Sequence, residues 1–171
     1  MDRLREYKVA FRGLKEGKHE FSYIMDSAFF SCFERTVGTE GNLEARILID
    51  KSALLMEVTI SIEGEVKAVC DRCLGDMDFR MAASMKLFVR QGDPKDGNSD
   101  DFLVVGAGDD YIDFSTYLYE LYMVNLPVRI VHPEGECDAF MNTILDKYLL
   151  KEDETSETEP RWNALKNIIN N

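Results

Sequence analysis

Two short stretches hold the residues whose types and spacing could do chemistry. The first is AVCDRCLGDMDF, residues 68–79, with Cys70 and Cys73 two residues apart. The second is VHPEGEC, residues 131–137, which offers His132 and Cys137 in an H-x₄-C spacing, with fifty-eight residues between Cys73 and His132. A C-x-x-C pair in a tight turn brings two sulfurs to one side. Tetrahedral zinc needs two further ligands, and His132 and Cys137 are the best supply in the chain. A redox dithiol would instead need a βαβ setting and a helix N-terminus to lower a thiol pKa. Strand-like alternation flanks the motif on both sides, so redox catalysis is not expected. Two readings stay open: a four-ligand zinc site on Cys70, Cys73, His132 and Cys137, or a packed turn whose cysteines fill space with no cofactor. The fourth cysteine, Cys32, lies in the apolar run SAFFSCFERT and reads as a core thiol.

No other constellation suggests catalysis. The chain has no G-x-S-x-G and no glycine-rich phosphate loop, since GAG at 106–108 is too short and no apolar helix follows it directly. His19, the other histidine, falls in a strand-like run and reads as structural. Nothing assembles a nucleophile, a base and an orienting group.

The elements that must position these residues follow from hydrophobic period. Alternation with period two dominates the first ninety residues, as in Tyr7, Val9, Phe11; Phe21, Tyr23, Met25; Leu43, Ala45, Ile47, Ile49; Met56, Val58, Ile60, Ile62; and Phe79 to Val89. Short joints, DKSA at 50–53 and Gly64, read as hairpin ends. This is the pattern of antiparallel strands with one face buried and one wet. The period then changes. IDFSTYLYELYMVNLP predicts a helix that Asp113 or Ser115 caps and Pro127 ends, and CDAFMNTILDKYLL predicts a second with Asp138 as its cap. The expected fold is therefore α+β: a mainly antiparallel, strongly curved sheet, a partly open barrel or sandwich, with two or three helices in the C-terminal half. Residues 1–150 read as one domain. Residues 151–171 read as an acidic flexible segment, KEDETSETE, followed by a short amphipathic helix in which Trp162, Leu165 and Ile169 share an apolar stripe suited to docking or to a partner.

Charge bounds the partners. The 171 residues carry a formal net charge of −12, and it is concentrated: residues 93–113 hold a net −6 and residues 134–159 a net −7. Direct binding to a phosphate backbone needs clustered Lys and Arg, so a basic protein partner is favoured over RNA itself. No apolar run approaches the length of a membrane span and the first residues have no secretory h-region, so a cytoplasmic protein with no membrane contact is expected.

The order of three pieces, C-D-R-C-L after an alternating strand, LPVRIVHPEGEC after a tyrosine-rich helix and PRWNALKNI at the end, resembles the YceD-like family, the large ribosomal RNA subunit accumulation proteins. Cys70, Arg72, Cys73 and Leu74 match the family's first cysteine motif. Leu126, Pro127, His132 and Cys137 match its second region, where many members carry a fuller cysteine set. The resemblance implies a non-enzymatic bacterial protein needed for accumulation of large-subunit ribosomal RNA. Combined with the charge, it points to binding of a basic ribosomal protein or large-subunit assembly factor, with indirect RNA contact. The alternatives are a zinc-dependent RNA-processing enzyme and an adaptor or chaperone for a basic client.

Overall fold

A computed structural model describes residues 4–34, 40–93 and 102–149. Its centre is a five-stranded sheet in the order β2-β3-β4-β5-β6: β2 (Gly17–Met25), β3 (Gly41–Lys51), β4 (Met56–Val69), β5 (Asp76–Gln91) and β6 (Phe102–Val105). Consecutive strands pair, as expected of short connections. The three pairings from β2 to β5 are antiparallel, whereas β5 and β6 run parallel from Phe88↔Phe102 to Gln91↔Val105. The fold is thus α+β and most of the pairings are antiparallel, but the parallel β5–β6 pair makes the sheet mixed, and it is open, so the expected strongly curved, partly open barrel or sandwich is not borne out. β2 and β6 stay as two separate edges, and the strands neither close into a barrel nor form a sandwich.

Alternation fixes which face is buried. Leu43, Ala45, Ile47 and Ile49 of β3 lie inward beside Met56, Val58, Ile60 and Ile62 of β4, while their odd-step neighbours face out. The turn between them forms where DKSA predicts it: Ser52 donates its N–H to Leu55 O at 2.9 Å and Ser52 Oγ meets the same carbonyl at 2.6 Å. Gly64, by contrast, is no hairpin end. It sits inside β4 opposite Leu43 with φ +158°, and a Cβ there would come within 2.4 Å of Asn42 O. Glycine at this point lets the β3 backbone approach and lets β4 continue for fourteen residues to the motif.

One side of the sheet is covered by an aromatic layer. α1 (Ser27–Phe30) brings Phe29 and Phe30, and α2 (Ser115–Asn125) brings Leu118, Leu121 and Tyr122. Phe30 and Tyr122 rings lie 4.8 Å apart, and Tyr7 lies 4.9 Å from Phe29. The run around Tyr7, Val9 and Phe11 is buried as its alternation predicts. Only Lys8–Val9 forms a strand, β1, pairing with β7 (Ile112–Asp113) away from the main sheet. Asp113 accepts the Ser115 N–H at 3.0 Å at the start of α2, and the helix ends at Asn125, two residues before Pro127.

Among the described residues, two helices, α2 and α3 (Ala139–Tyr148), lie in the C-terminal half, and α1 lies in the N-terminal half. Cys32 is exposed, its Sγ 3.4 Å from Ala28 O, so it is not the core thiol expected. The turn after α1 buries Phe29 and Phe30 and leaves Cys32 pointing outward. Trp162, Leu165 and Ile169, with the rest of 151–171, lie outside the described residues.

Candidate metal centre

β4 and β5 pair up to Val69↔Asp76, which leaves Cys70–Gly75 as the hairpin tip. Inside it Cys70 N–H donates to Gly75 O and Leu74 N–H to Cys70 O, both at 2.9 Å. The Arg72 N–H points at Cys70 Sγ from 3.4 Å. Both sulfurs leave the tip on one side, the arrangement expected of a C-x-x-C knuckle.

The second pair arrives from the segment after α2. Asp71 fastens the two together by donating its N–H to Ile130 O at 2.8 Å while its carboxylate accepts the Ile130 N–H at 2.6 Å. The next turn of chain, Pro133 to Glu136, closes with a 3.1 Å hydrogen bond from the Glu136 N–H to Pro133 O. Gly135 at φ +87° occupies its third position, where a type II turn needs a positive φ. This reversal carries the chain from His132 to Cys137. Asp138 then caps α3, its carboxylate accepting the Met141 N–H at 2.8 Å, as its position predicts.

The result is that Cys70 Sγ, Cys73 Sγ, Cys137 Sγ and a His132 ring nitrogen all lie within 4.8 Å of one another. Cys73 Sγ is 3.3 Å and Cys137 Sγ 4.0 Å from His132 Nδ1, and Cys70 Sγ is 3.9 Å from Cys137 Sγ. Ligand bonds of about 2.3 Å to sulfur and about 2.0–2.1 Å to nitrogen at tetrahedral angles place neighbouring donors about 3.5–3.8 Å apart. The donors therefore suit a four-coordinate metal in chemistry and come near its spacing, and the cluster could hold one after a small contraction. His132 Nε2 lies 3.3 Å from Asp76 O, which accepts a hydrogen bond from the Nε2–H when Nδ1 faces the sulfurs. All three cysteines are buried, with Met77 and Met141 packed against them.

Electrostatics divide the sulfurs. Burial alone would raise Cys70, but the N–H groups of Cys73, His132 and Arg72 outweigh it and hold that thiol down at about 5. The N–H groups of Asp138 and Gly75 lower Cys73. Burial pushes Cys137 up to about 11, helped by the neighbouring sulfurs of Cys73 and Cys70. The sulfurs of Cys70 and Cys73 raise His132. The hairpin tip thus favours thiolate through backbone donors before any cation arrives.

Of the other residues matched to the family motif, Arg72 and Pro127 are exposed, Leu74 is exposed at φ +59°, and Leu126 is half-buried at the end of α2. Among the described residues, Arg72 meets the cluster through its backbone N–H rather than its guanidinium. Asp71 and the Asp76 carbonyl are the orienting groups that the spacing of Cys and His alone does not reveal.

An α+β domain whose hairpin knuckle and C-terminal segment converge as a Cys₃His cluster defines a class of domain with four donors that could hold a metal ion. The chain belongs to the family described as large ribosomal RNA subunit accumulation protein YceD, whose pattern matches residues 58–169, from near the start of β4 through the cluster and beyond α3. Comparison with curated proteins and with solved structures gives no match. Membership bears on accumulation of large-subunit ribosomal RNA, and the family is described by that role rather than by an enzymatic activity. Among the described residues no helix is long and apolar enough to cross a membrane.

Proposed function

We propose that this protein is a non-enzymatic accessory factor of large ribosomal subunit assembly in the bacterial cytoplasm. It acts by binding a basic ribosomal protein or assembly factor that itself holds the RNA. The family match over residues 58–169 carries this reading. The net charge of −12 supports the choice of a basic protein over naked RNA, since a phosphate backbone would be repelled. The Cys₃His cluster supports a structural zinc. With four protein donors converging, a tetrahedral ion has no open position for water or substrate, which a hydrolytic zinc requires. The zinc-dependent enzyme therefore has no observation in its favour.

The test is co-purification of the chain with large-subunit precursors, together with large-subunit RNA levels in cells lacking its gene. Reduced RNA on deletion and recovery of the chain with precursor particles are expected. Normal RNA levels would reject the role, and a precursor association unchanged after removing basic assembly proteins would reject the mode of binding.

A further inference from the structure

Beside the Cys₃His cluster lies a groove of about 1000 Å³, between the β4–β5 hairpin tip and the chain leaving α2. The metal site does not use it. Its apolar lining is Val69, Met77, Met123, Leu126 and Val128, of which the half-buried Met77, Met123 and Leu126 form the floor. Val69 is half exposed there and Val128 fully so. Among the described residues its rim carries the exposed Glu40, Asp71, Asp76 and Asp78 against Lys67. Unbranched methionines adapt to irregular apolar partners. An apolar floor inside a carboxylate rim accepts a segment whose apolar stripe is flanked by positive charge.

Such a segment ends this chain. PRWNALKNIINN, residues 160–171, places Trp162, Leu165, Ile168 and Ile169 at helical spacing, with Arg161 and Lys166 and no acidic side chain. We propose that residues 160–169 occupy the groove of their own chain, the stripe on the apolar floor and Arg161 and Lys166 toward the carboxylate rim.

Connectivity favours this occupant. α3 starts two residues after the cluster ligand Cys137, and the cluster adjoins the groove through Asp71, Asp76 and Ile130. Ten helical residues carry the chain only about 15 Å away. The eleven steps from Leu149 to Pro160 span up to roughly 36–40 Å when extended, ample to return along the whole of α3. A tether of this length gives a local concentration in the mM range, so a stripe too short to be a stable free helix can dock. The family pattern also runs to residue 169, so it takes in this segment as well as most of the residues that line the groove. The inference goes beyond the ribosomal reading and stands or falls without it.

Trp162 is the only tryptophan, so its fluorescence reports on this segment alone. In the full-length, metal-loaded protein its emission is expected to be blue-shifted and quenched by acrylamide several-fold less than in a peptide of residues 160–171. V69K/V128K replaces two exposed side chains, so the fold is retained, as a circular-dichroism melt checks, and emission and quenching should move to the peptide values. Peptide-like exposure in the unmodified chain would overturn the proposal, as would indifference to V69K/V128K. Loss of protection on dilution would also overturn it by assigning the segment to a second copy. Protection that appears only on adding a basic partner would overturn it in favour of that partner.

Discussion

The cluster depends on a residue that is not one of its ligands. Asp71 joins the knuckle to the His132 segment through two hydrogen bonds to Ile130, one from its backbone and one to its carboxylate. Asp71→Ala leaves the Ile130 N–H without its charged acceptor, at a cost of about 1–3 kcal/mol. Because it loosens the approach of His132, it should also weaken metal binding by roughly 10–100-fold, the range of orienting partners at metal sites. Competition with a chelator of known affinity measures that, and unchanged affinity would assign Asp71 to stability alone. Tyr7 offers a second residue-scale test. Burial, then the carboxylates of Glu6 and Asp26, raise its phenol above the usual range, while its hydroxyl donates to Ile24 O at 2.8 Å. A raised value means that the folded state holds the proton more tightly than the unfolded chain. The associated stability is complete below the unfolded value near 10 and is lost progressively as pH rises from there through the higher folded value. Tyr7→Phe should lower stability at neutral pH by about 1 kcal/mol and flatten the alkaline limb of a denaturation series. It does so only in part, because burial also raises Tyr23, Tyr117 and Tyr122.

At the scale of elements, two long strands carry the motif and one helix hangs from it. Gly64 is the hinge of the first arrangement. Gly64→Ala places a Cβ against the β3 backbone at Asn42 O and Leu43 Cα in a conformation that L residues rarely adopt. The expected loss is more than about 1 kcal/mol, read from urea unfolding, with the hairpin tip as the first region to lose amide protection. α3 shows the second arrangement. None of its residues is buried, and Met141 packs on the cysteine cluster. Metal removal should therefore cost helical signal from about ten residues in circular dichroism while the melt of the β3–β4 core persists. A single concerted unfolding on chelation would instead make the metal part of the main core. Much of this was legible in advance. Strict alternation located the buried face of β3 and β4, and Asp138 marked the start of α3, because period and capping are local. Gly64 misread as a turn, and the parallel entry of β6, were not legible. Both depend on what another strand does alongside, which no window of sequence contains.

For the whole molecule, convergence of four donors from two distant stretches was visible only as a count of ligands. Cys70 and Cys73 announced half a site, and His132 with Cys137 the other half. The reciprocal Asp71–Ile130 bonds that join the halves span fifty-nine positions and leave no spacing signal. Charge, in contrast, is a property of the whole and needs no fold. A net −12 with its acidity concentrated in 93–113 and 134–159 gives long-range attraction to cations and repulsion from phosphate. Both effects are screened within about 10 Å at 0.1 M salt. Recovery of the chain with large-subunit precursors should therefore fall several-fold as salt rises from roughly 50 to 200 mM, since each exposed carboxylate contributes by steering rather than by tight contact. Naked large-subunit RNA, titrated across the same range, should show no binding at any salt. Charge decides the direction of each curve. If the chain were a direct RNA binder, naked RNA would be held best at low salt and released as salt rose. If an apolar contact dominated instead, precursor recovery would be flat or would rise with salt.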